Sequence, residues 1–214
     1  MDSPAAARLA SCCLAGIFVG GKSSRMRGVP KGLLQPPGEA RNLVERLRDV
    51  LEEAGIRDPV LVGTNPAYAG AGFRTVSDAS RGEGPISGLL GLIDHAMMHQ
   101  FEFALALACD MPAIDTATVH RLLSERTDAV ALVPRRTQLE PLCARYHVRS
   151  VRPHLVRLIE MRRFRLMDLL AELGCGCVSL DVEPSRHFTL QDWDSPDELP
   201  DGVTCLGRPI ERQP

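Results

Sequence analysis

The sequence predicts an α/β fold: one domain with a mostly parallel central sheet flanked by helices. Three observations carry this expectation. Apolar runs of strand length alternate with stretches of helical period, the pattern of a sheet covered by helices. Two runs, Cys12 to Val19 and Phe103 to Ala108, are wholly non-polar, as strands buried on both faces tend to be. No internal repeat, low-complexity tract or linker divides the 214 residues, a length that one domain accommodates.

The elements follow in order. Cys12 to Val19 is the first strand. Val44, Leu47, Val50, Leu51 and Ala54 repeat at helical spacing, and Gly55 stops that helix. Pro59 to Val62 and Phe73 to Val76 are short strands. Leu89, Leu90, Ile93, Ala96 and Met97 mark a helix with Ser87 as its expected cap. Phe103 to Ala108 is a strand, followed by a helix over 116–124 with Asp115 or Thr116 as cap. A strand over 129–133, an extended segment from Leu139 to Tyr146, helices near 150–160 and 165–173, and a last strand from Cys177 to Leu180 complete the series. Arginines cluster between Arg145 and Arg165 on what reads as helix, either a solvated face or a surface turned toward an anion.

Composition excludes several classes. A formal net charge of −2 leaves no basic footprint for nucleic acid. The seven cysteines include no CxxC pair and no metal-ligand spacing, which points to a reducing compartment. Leu9-Ala10-Ser11-Cys12 matches a lipoprotein cleavage box in letters, but Asp2, Pro4 and Arg8 precede it where an apolar stretch is required. The apolar run to Gly21 is too short to span a bilayer. The expectation is a soluble, cytoplasmic protein without membrane or nucleic-acid partners.

In an open α/β sheet, ligands bind beyond the carboxyl ends of the strands. Gly16 to Ser23 there fits the phosphate-loop pattern GxxxxGK(S/T). That reading would place Ile17, Phe18 and Val19 in a polar loop although they belong to the strand, and Gly28 and Pro30 make a poor helix start. The better reading is a glycine loop at Gly20 and Gly21, whose backbone N–H groups can approach a phosphate. Arg25 and Lys31 bring cations suited to the charge of a departing pyrophosphate. Asp110, just past an apolar strand, is placed to hold Mg²⁺ against phosphate oxygens.

Phe18-Val19-Gly20-Gly21, Ser24-Arg25-Met26 and Lys31-Gly-Leu-Leu34 resemble the opening of the molybdenum cofactor guanylyltransferases, a nucleotidyltransferase family. The resemblance continues through Asp78, Gly84-Pro85-Ile-Ser-Gly88-Leu89, Cys109-Asp110-Met111-Pro112, Glu140-Pro141-Leu142 and Asp192-Trp-Asp194-Ser-Pro196-Asp197-Glu-Leu199. It implies a Rossmann-like nucleotidyltransferase fold over 12–200, leaving 1–11 as a flexible N-terminus and 201–214 as a C-terminal tail. It implies transfer of GMP from GTP to the terminal phosphate of molybdopterin cofactor, with release of pyrophosphate. GTP contacts would come from Phe18, Val19, Gly20, Gly21, Lys31, Gly63, Asp78, Gly84, Pro85 and Asp110. Arg25, Lys31 and Asp110 would be catalytic, with Asp110 on Mg²⁺. GTP and molybdopterin cofactor would be the partners, together with molybdoenzyme maturation proteins.

Several positions leave alternatives open. Asp78 is a nucleotide contact or a turn cap, and Gly84-Pro85-Gly88 a ligand contact or an ordinary turn. Where the family shows Asn-x-Asn, this chain has Asp192 and Asp194. Asp194 reads best as the cap of a helix begun at Pro196, and Asp192 as a cofactor or second metal contact. The family's Leu-Ala before the paired glycines is Phe18-Val19, and its asparagine after the second strand is Gly63, with Asn65 two residues later. These departures keep two alternatives in view: a cytidylyl- or sugar-phosphate nucleotidylyltransferase, and a non-catalytic nucleotide- or cofactor-binding relative. Asp110-Met111-Pro112, where cytidylyltransferases carry Asp-Gln-Pro, favours guanylyl transfer. His95 and His99 lie one helical turn apart without an HExxH glutamate and read as a surface helix face.

Overall fold

The computed structural model describes residues 4–20, 26–79, 84–126 and 128–210. Its elements are α1 (Pro4–Ser11), β1 (Cys13–Phe18), β2 (Leu34–Gln35), α2 (Leu43–Glu53), β3 (Val60–Val62), β4 (Arg74–Val76), α3 (Gly84–Met98), β5 (Phe103–Ala108) and α4 (Thr116–Ser124). β6 (Ala131–Arg135), β7 (Cys143–His147), α5 (Val148–Glu160), α6 (Leu166–Leu173), β8 (Cys177–Asp181), β9 (Thr204–Cys205) and β10 (Arg208–Pro209) follow.

The main sheet has the order β4-β3-β1-β5-β7-β6-β8. Its pairings are parallel except those of β7, which runs antiparallel to both β5 and β6. Alternate side chains of β1 and β5 feed two cores. Cys13, Ala15, Ile17, Phe103, Leu105 and Leu107 pack with α2 and α4 on one face. Leu14, Phe18, Ala104 and Ala106 pack with α3, α5 and α6 on the other. The expected three-layer α/β domain results.

Small residues let α3 lie close to the sheet. A Cβ at Gly16 would come 2.7 Å from Leu92, and one at Gly91 would come 2.4 Å from the Ser77 carbonyl oxygen. The α3 helix therefore sits directly over β1 and over the loop that follows β4. It begins at Gly84, earlier than the expected Ser87 cap; Ser87 is instead buried within its first turns. Pro85 explains the earlier start, because a proline in the first turn forfeits only an N–H that has no helical partner. The cap and stop signals of α2 are as expected. Asn42 and Glu45 form a reciprocal capping box at 2.9 and 3.0 Å, and Gly55 takes φ +85° after the last turn. Asp115 caps α4 by accepting from the Thr118 N–H at 2.8 Å.

Both ends of the chain add elements. The α1 helix occupies the stretch expected to be a flexible N-terminus, and Ala10 on it is buried. In the stretch expected to be a tail, β9 pairs with both β10 and β2 in a small three-stranded sheet that buries Val203 and Cys205. Among the described residues, no helix is long and apolar enough to cross a membrane.

Arg145, at the head of the arginine cluster, lies in β7, within the segment expected to be extended, and is 1 % exposed. Its guanidinium donates to the carbonyls of Leu123 at 2.9 Å and Arg126 at 2.6 Å, and its centre lies 4.7 Å from the Phe103 ring centroid. It thus satisfies carbonyls at the carboxyl end of α4, where a cation is favoured by the helix dipole. Arg145→Ala should cost about 2–5 kcal/mol, because it opens a cavity and leaves those carbonyls without donors. The midpoint of urea unfolding measures this loss.

Candidate active site

The strands that end together bring the loops together. Phe18 at the end of β1 is in register with Val62 of β3 and Ala108 of β5, so the residues after each strand share one edge. The Val19 N–H donates to the Val62 carbonyl at 3.1 Å, and the Gly63 N–H to the Val76 carbonyl at 3.0 Å. These bonds extend the ladder past the strands and draw Gly20 against Gly63. Gly63 takes φ +97°, and a Cβ there would lie 3.0 Å from the Gly20 Cα. Backbone meets backbone at this point, so neither glycine puts a side chain into the space above the sheet edge, called the cleft below.

One wall of the cleft is Asp78 with the start of α3. A Cβ at Gly88 would lie 3.1 Å from the Phe18 ring, 3.2 Å from the Asp78 Oδ1 and 3.2 Å from Val62. Asp78, Phe18 and Gly63 therefore converge on one spot, and burial raises the pKa of Asp78. The Val19 side chain packs into the α2 face of the core, so its bulk does not enter the cleft. Phe18 likewise faces inward and is 8 % exposed. Asn65 accepts from the Ala67 N–H at 3.0 Å and caps a local turn, so its amide is engaged away from the cleft floor. Gly84 at the head of α3 meets the loop between α5 and α6: a Cβ there would lie 3.1 Å from the Cβ and the carbonyl oxygen of Phe164. Nothing in the sequence pattern links these distant segments. Gly21 and Arg25 lie outside the described residues.

Beside this cleft is an ion cluster. Lys31 opens a short 3₁₀ turn, Lys31–Leu33. The turn is fixed by the Gly32 N–H, which donates to the buried Tyr68 hydroxyl at 3.0 Å. The Lys31 Nζ lies 2.8 Å from the Asp110 Oδ2 and 2.5 Å from the Asp194 Oδ1. Burial works against the lysine charge, but the Asp110 and Asp194 carboxylates outweigh it and raise the Lys31 pKa. Burial also raises the pKa of Asp110; Lys31 opposes the rise and the nearby Asp192 adds to it. The Trp193 N–H donates to the Asp110 carbonyl at 2.9 Å, tying the loop that carries Asp192 and Asp194 to the end of β5. Glu140 is close enough to Asp192 for repulsion to add to the rise in pKa that burial causes, with Arg136 opposing it.

Asp194 corrects a sequence expectation. The helix cap is Ser195, in a capping box with Glu198, and the Asp194 carboxylate turns to Lys31 instead. The signal for capping was real but belonged to the next residue. Asp192 is near enough to Asp110 for its carboxylate to add to the rise in the Asp110 pKa. His95 on α3 and His99 just past its end lie with ring centroids 4.5 Å apart and the rings tilted at 52°, remote in sequence from this cluster. Among the described residues, no three His, Cys, Asp or Glu side chains converge to hold a metal. The carboxylates of Asp110 and Asp192 are nonetheless a fitting donor set for Mg²⁺, which takes one or two carboxylates and fills its shell with waters and phosphate oxygens. A groove of about 600 Å³ lined by Pro36, Arg46, Pro112, Phe188 and Trp193 lies behind this loop and shares no residue with the Gly20–Gly63–Asp78 cleft.

Residues 15–175 match the family model described as the MobA-like NTP transferase domain. A relative from Flavobacterium johnsoniae named "Probable molybdenum cofactor guanylyltransferase" is 28 % identical over 189 residues, covering 86 % of this chain and 93 % of that protein. One of the same name from Pelotomaculum thermopropionicum is 31 % identical over 177 residues, covering 78 % of this chain and 82 % of the relative. Among solved structures, the molybdopterin-guanine dinucleotide biosynthesis protein A of Archaeoglobus fulgidus superposes with a TM-score of 0.65 at 23 % identity, covering 86 % of this chain and 93 % of that one. At that identity the superposition speaks to the fold.

Two outcomes follow from the geometry. Ionising Asp110 works against the fold because its pKa is raised, so its contribution to stability declines as pH rises through that pKa. Asp110→Asn should therefore melt at or above the parent temperature at pH 7, and the difference should shrink in acid. Gly63→Ala should lose about 1–3 kcal/mol of stability in urea unfolding, since a Cβ at positive φ is strained and meets Gly20.

Proposed function

The chain belongs to the MobA-like NTP transferase family, and we propose that it transfers GMP from GTP to the terminal phosphate of molybdopterin cofactor, releasing pyrophosphate. The observation that carries this reading is the Lys31 ammonium held between Asp110 and Asp194 beside the cleft at Gly20 and Gly63. It supplies a cation where phosphate charge develops and carboxylates where a divalent ion is needed. The names of the relatives supply the choice of nucleotide and acceptor.

The roles proposed for the residues follow from their chemistry. Gly20 and Gly63 give the nucleotide close access to backbone, and Asp78 accepts a hydrogen bond from ribose or base. Gly84 and Pro85, at the head of α3, border the same cleft. Asp110 and Asp192 hold Mg²⁺, which when bound neutralises phosphate charge as a Lewis acid. Lys31 keeps an N–H on Asp194 and offers another to a phosphate oxygen, offsetting charge on the departing pyrophosphate. Arg25 and Gly21 are assigned to the phosphates on the sequence pattern alone. The acceptor needs no general base, because a phosphate monoester with a second pKa near about 6 is already ionised. The neighbouring Cys109 is no nucleophile for covalent catalysis: burial pushes its thiol up to about 12, so it is not a thiolate at neutral pH. Alignment and electrostatics are then the whole of the catalysis.

We assign the protein to the cytoplasm, in keeping with its free cysteines, with molybdoenzyme maturation proteins as recipients of the product. The test is one assay of pyrophosphate release with Mg²⁺, molybdopterin cofactor and each of the four nucleoside triphosphates. GTP should support turnover well above the others. Release from CTP instead would make this a cytidylyltransferase, and nucleotide binding without any release would make it a non-catalytic relative. In the same assay Lys31→Ala and Asp110→Ala should each lower the rate about 10²–10³-fold, with circular dichroism unchanged.

A further inference from the structure

Lys31 and a divalent cation make competing demands on Asp110. In the structure the Asp110 Oδ2 is taken up by the lysine at 2.8 Å. A metal arriving at the same carboxylate would withdraw that negative charge and repel the ammonium. Yet the reaction needs both cations in the cleft at once.

We propose that Asp194 is a positioning residue that holds Lys31 as its second counter-ion, so that Asp110 can turn to the metal without the lysine leaving the cleft. This rests on the reading of Asp110 as a metal ligand given above. The geometry favours it on three counts. The Asp194 carboxylate contacts Lys31 independently of Asp110, so the lysine stays charge-paired when Asp110 is drawn away. The backbone around Asp194 is pinned from both sides. Its own N–H and that of Ser195 donate to the Glu198 carboxylate at 2.7 and 3.1 Å, while the Trp193 N–H holds the Asp110 carbonyl at 2.9 Å. The residue type also matters. The family resemblance places an asparagine here, and a neutral amide offers an acceptor oxygen without a countercharge.

The alternative role for Asp194 is direct ligation of the metal, and a double-mutant cycle separates the two. Mn²⁺ is the probe, since it shares the oxygen-ligand preference of Mg²⁺, and its binding to the full chain is read from the EPR signal of the free ion. Asp194→Ala should weaken Mn²⁺ binding about tenfold, because Lys31 then leans wholly on Asp110. Lys31→Met should tighten binding. In the Lys31→Met background, Asp194→Ala should change binding less than about twofold, the lysine through which it acts being gone. An equal loss in both backgrounds would make Asp194 a metal ligand and overturn the proposal, and so would no loss in either. Should Asp194→Ala fail to fold, as judged by circular dichroism, Asp194→Asn carries the same comparison with the acceptor oxygen retained. Pyrophosphate release by Lys31→Met reports separately on the proposed function: a normal rate there would overturn that reading whatever the Mn²⁺ cycle shows.

Discussion

The Lys31 ammonium, gripped by Asp110 and Asp194, is the contact that gives the rest of this structure its purpose. It joins three segments distant in sequence: the turn after the first strand's loop, the end of β5, and the loop near residue 194. Further hydrogen bonds secure these segments. The Gly32 N–H reaches the Tyr68 hydroxyl, and the Trp193 N–H reaches the Asp110 carbonyl. Removing charged groups from water is costly unless they are paired. The fold meets that cost by bringing opposite charges to one spot at the edge of a sheet whose strands β1 and β5 are wholly apolar.

Beside that cluster, the cleft at the sheet edge is built from glycines. Gly20 and Gly63 touch through their backbones, and a Cβ at Gly88 would press on Phe18, Asp78 and Val62 at 3.1–3.2 Å. Side chains that would crowd the cleft are turned inward instead: Val19 and Phe18 each belong to one of the two cores. Substituting bulkier residues before the paired glycines therefore alters the packing beneath the cleft more than its opening. The loop between α5 and α6, which meets Gly84 through Phe164, completes the cleft from a part of the chain more than seventy residues away.

Much of this was legible in the sequence, and the reasons differ by element. Strands β1 and β5 are uniformly apolar because both faces are covered, and α2 and α4 carry cap and stop residues that act locally. Such signals do not depend on the rest of the fold. Lys31 and Asp110 were readable because they follow strands and so fall on the ligand edge. Asp194 was not, because two local signals overlapped there: Ser-Pro-Asp-Glu reads as a cap from either residue, and only tertiary contact decides which side chain is drawn away. The early start of α3 has a similar cause, since Gly84-Pro85 reads equally as turn or helix entry. Arg145 defied its context altogether, its charge being buried against carbonyls that no sequence pattern reveals. The short strands β2, β9 and β10 carry two residues each, too few to leave a periodicity.

The central claim is that Lys31, and not the lysine at position 22 that fits a phosphate-loop pattern, meets the nucleotide's phosphates. A crystal structure of the chain with Mg²⁺ and a non-hydrolysable GTP analogue tests it most directly. The account predicts the Lys31 Nζ within hydrogen-bond reach of a phosphate oxygen, Asp194 still on Lys31, and the metal on Asp110. Phosphates gathered around Lys22, with Lys31 and Asp110 paired only to each other, would contradict it.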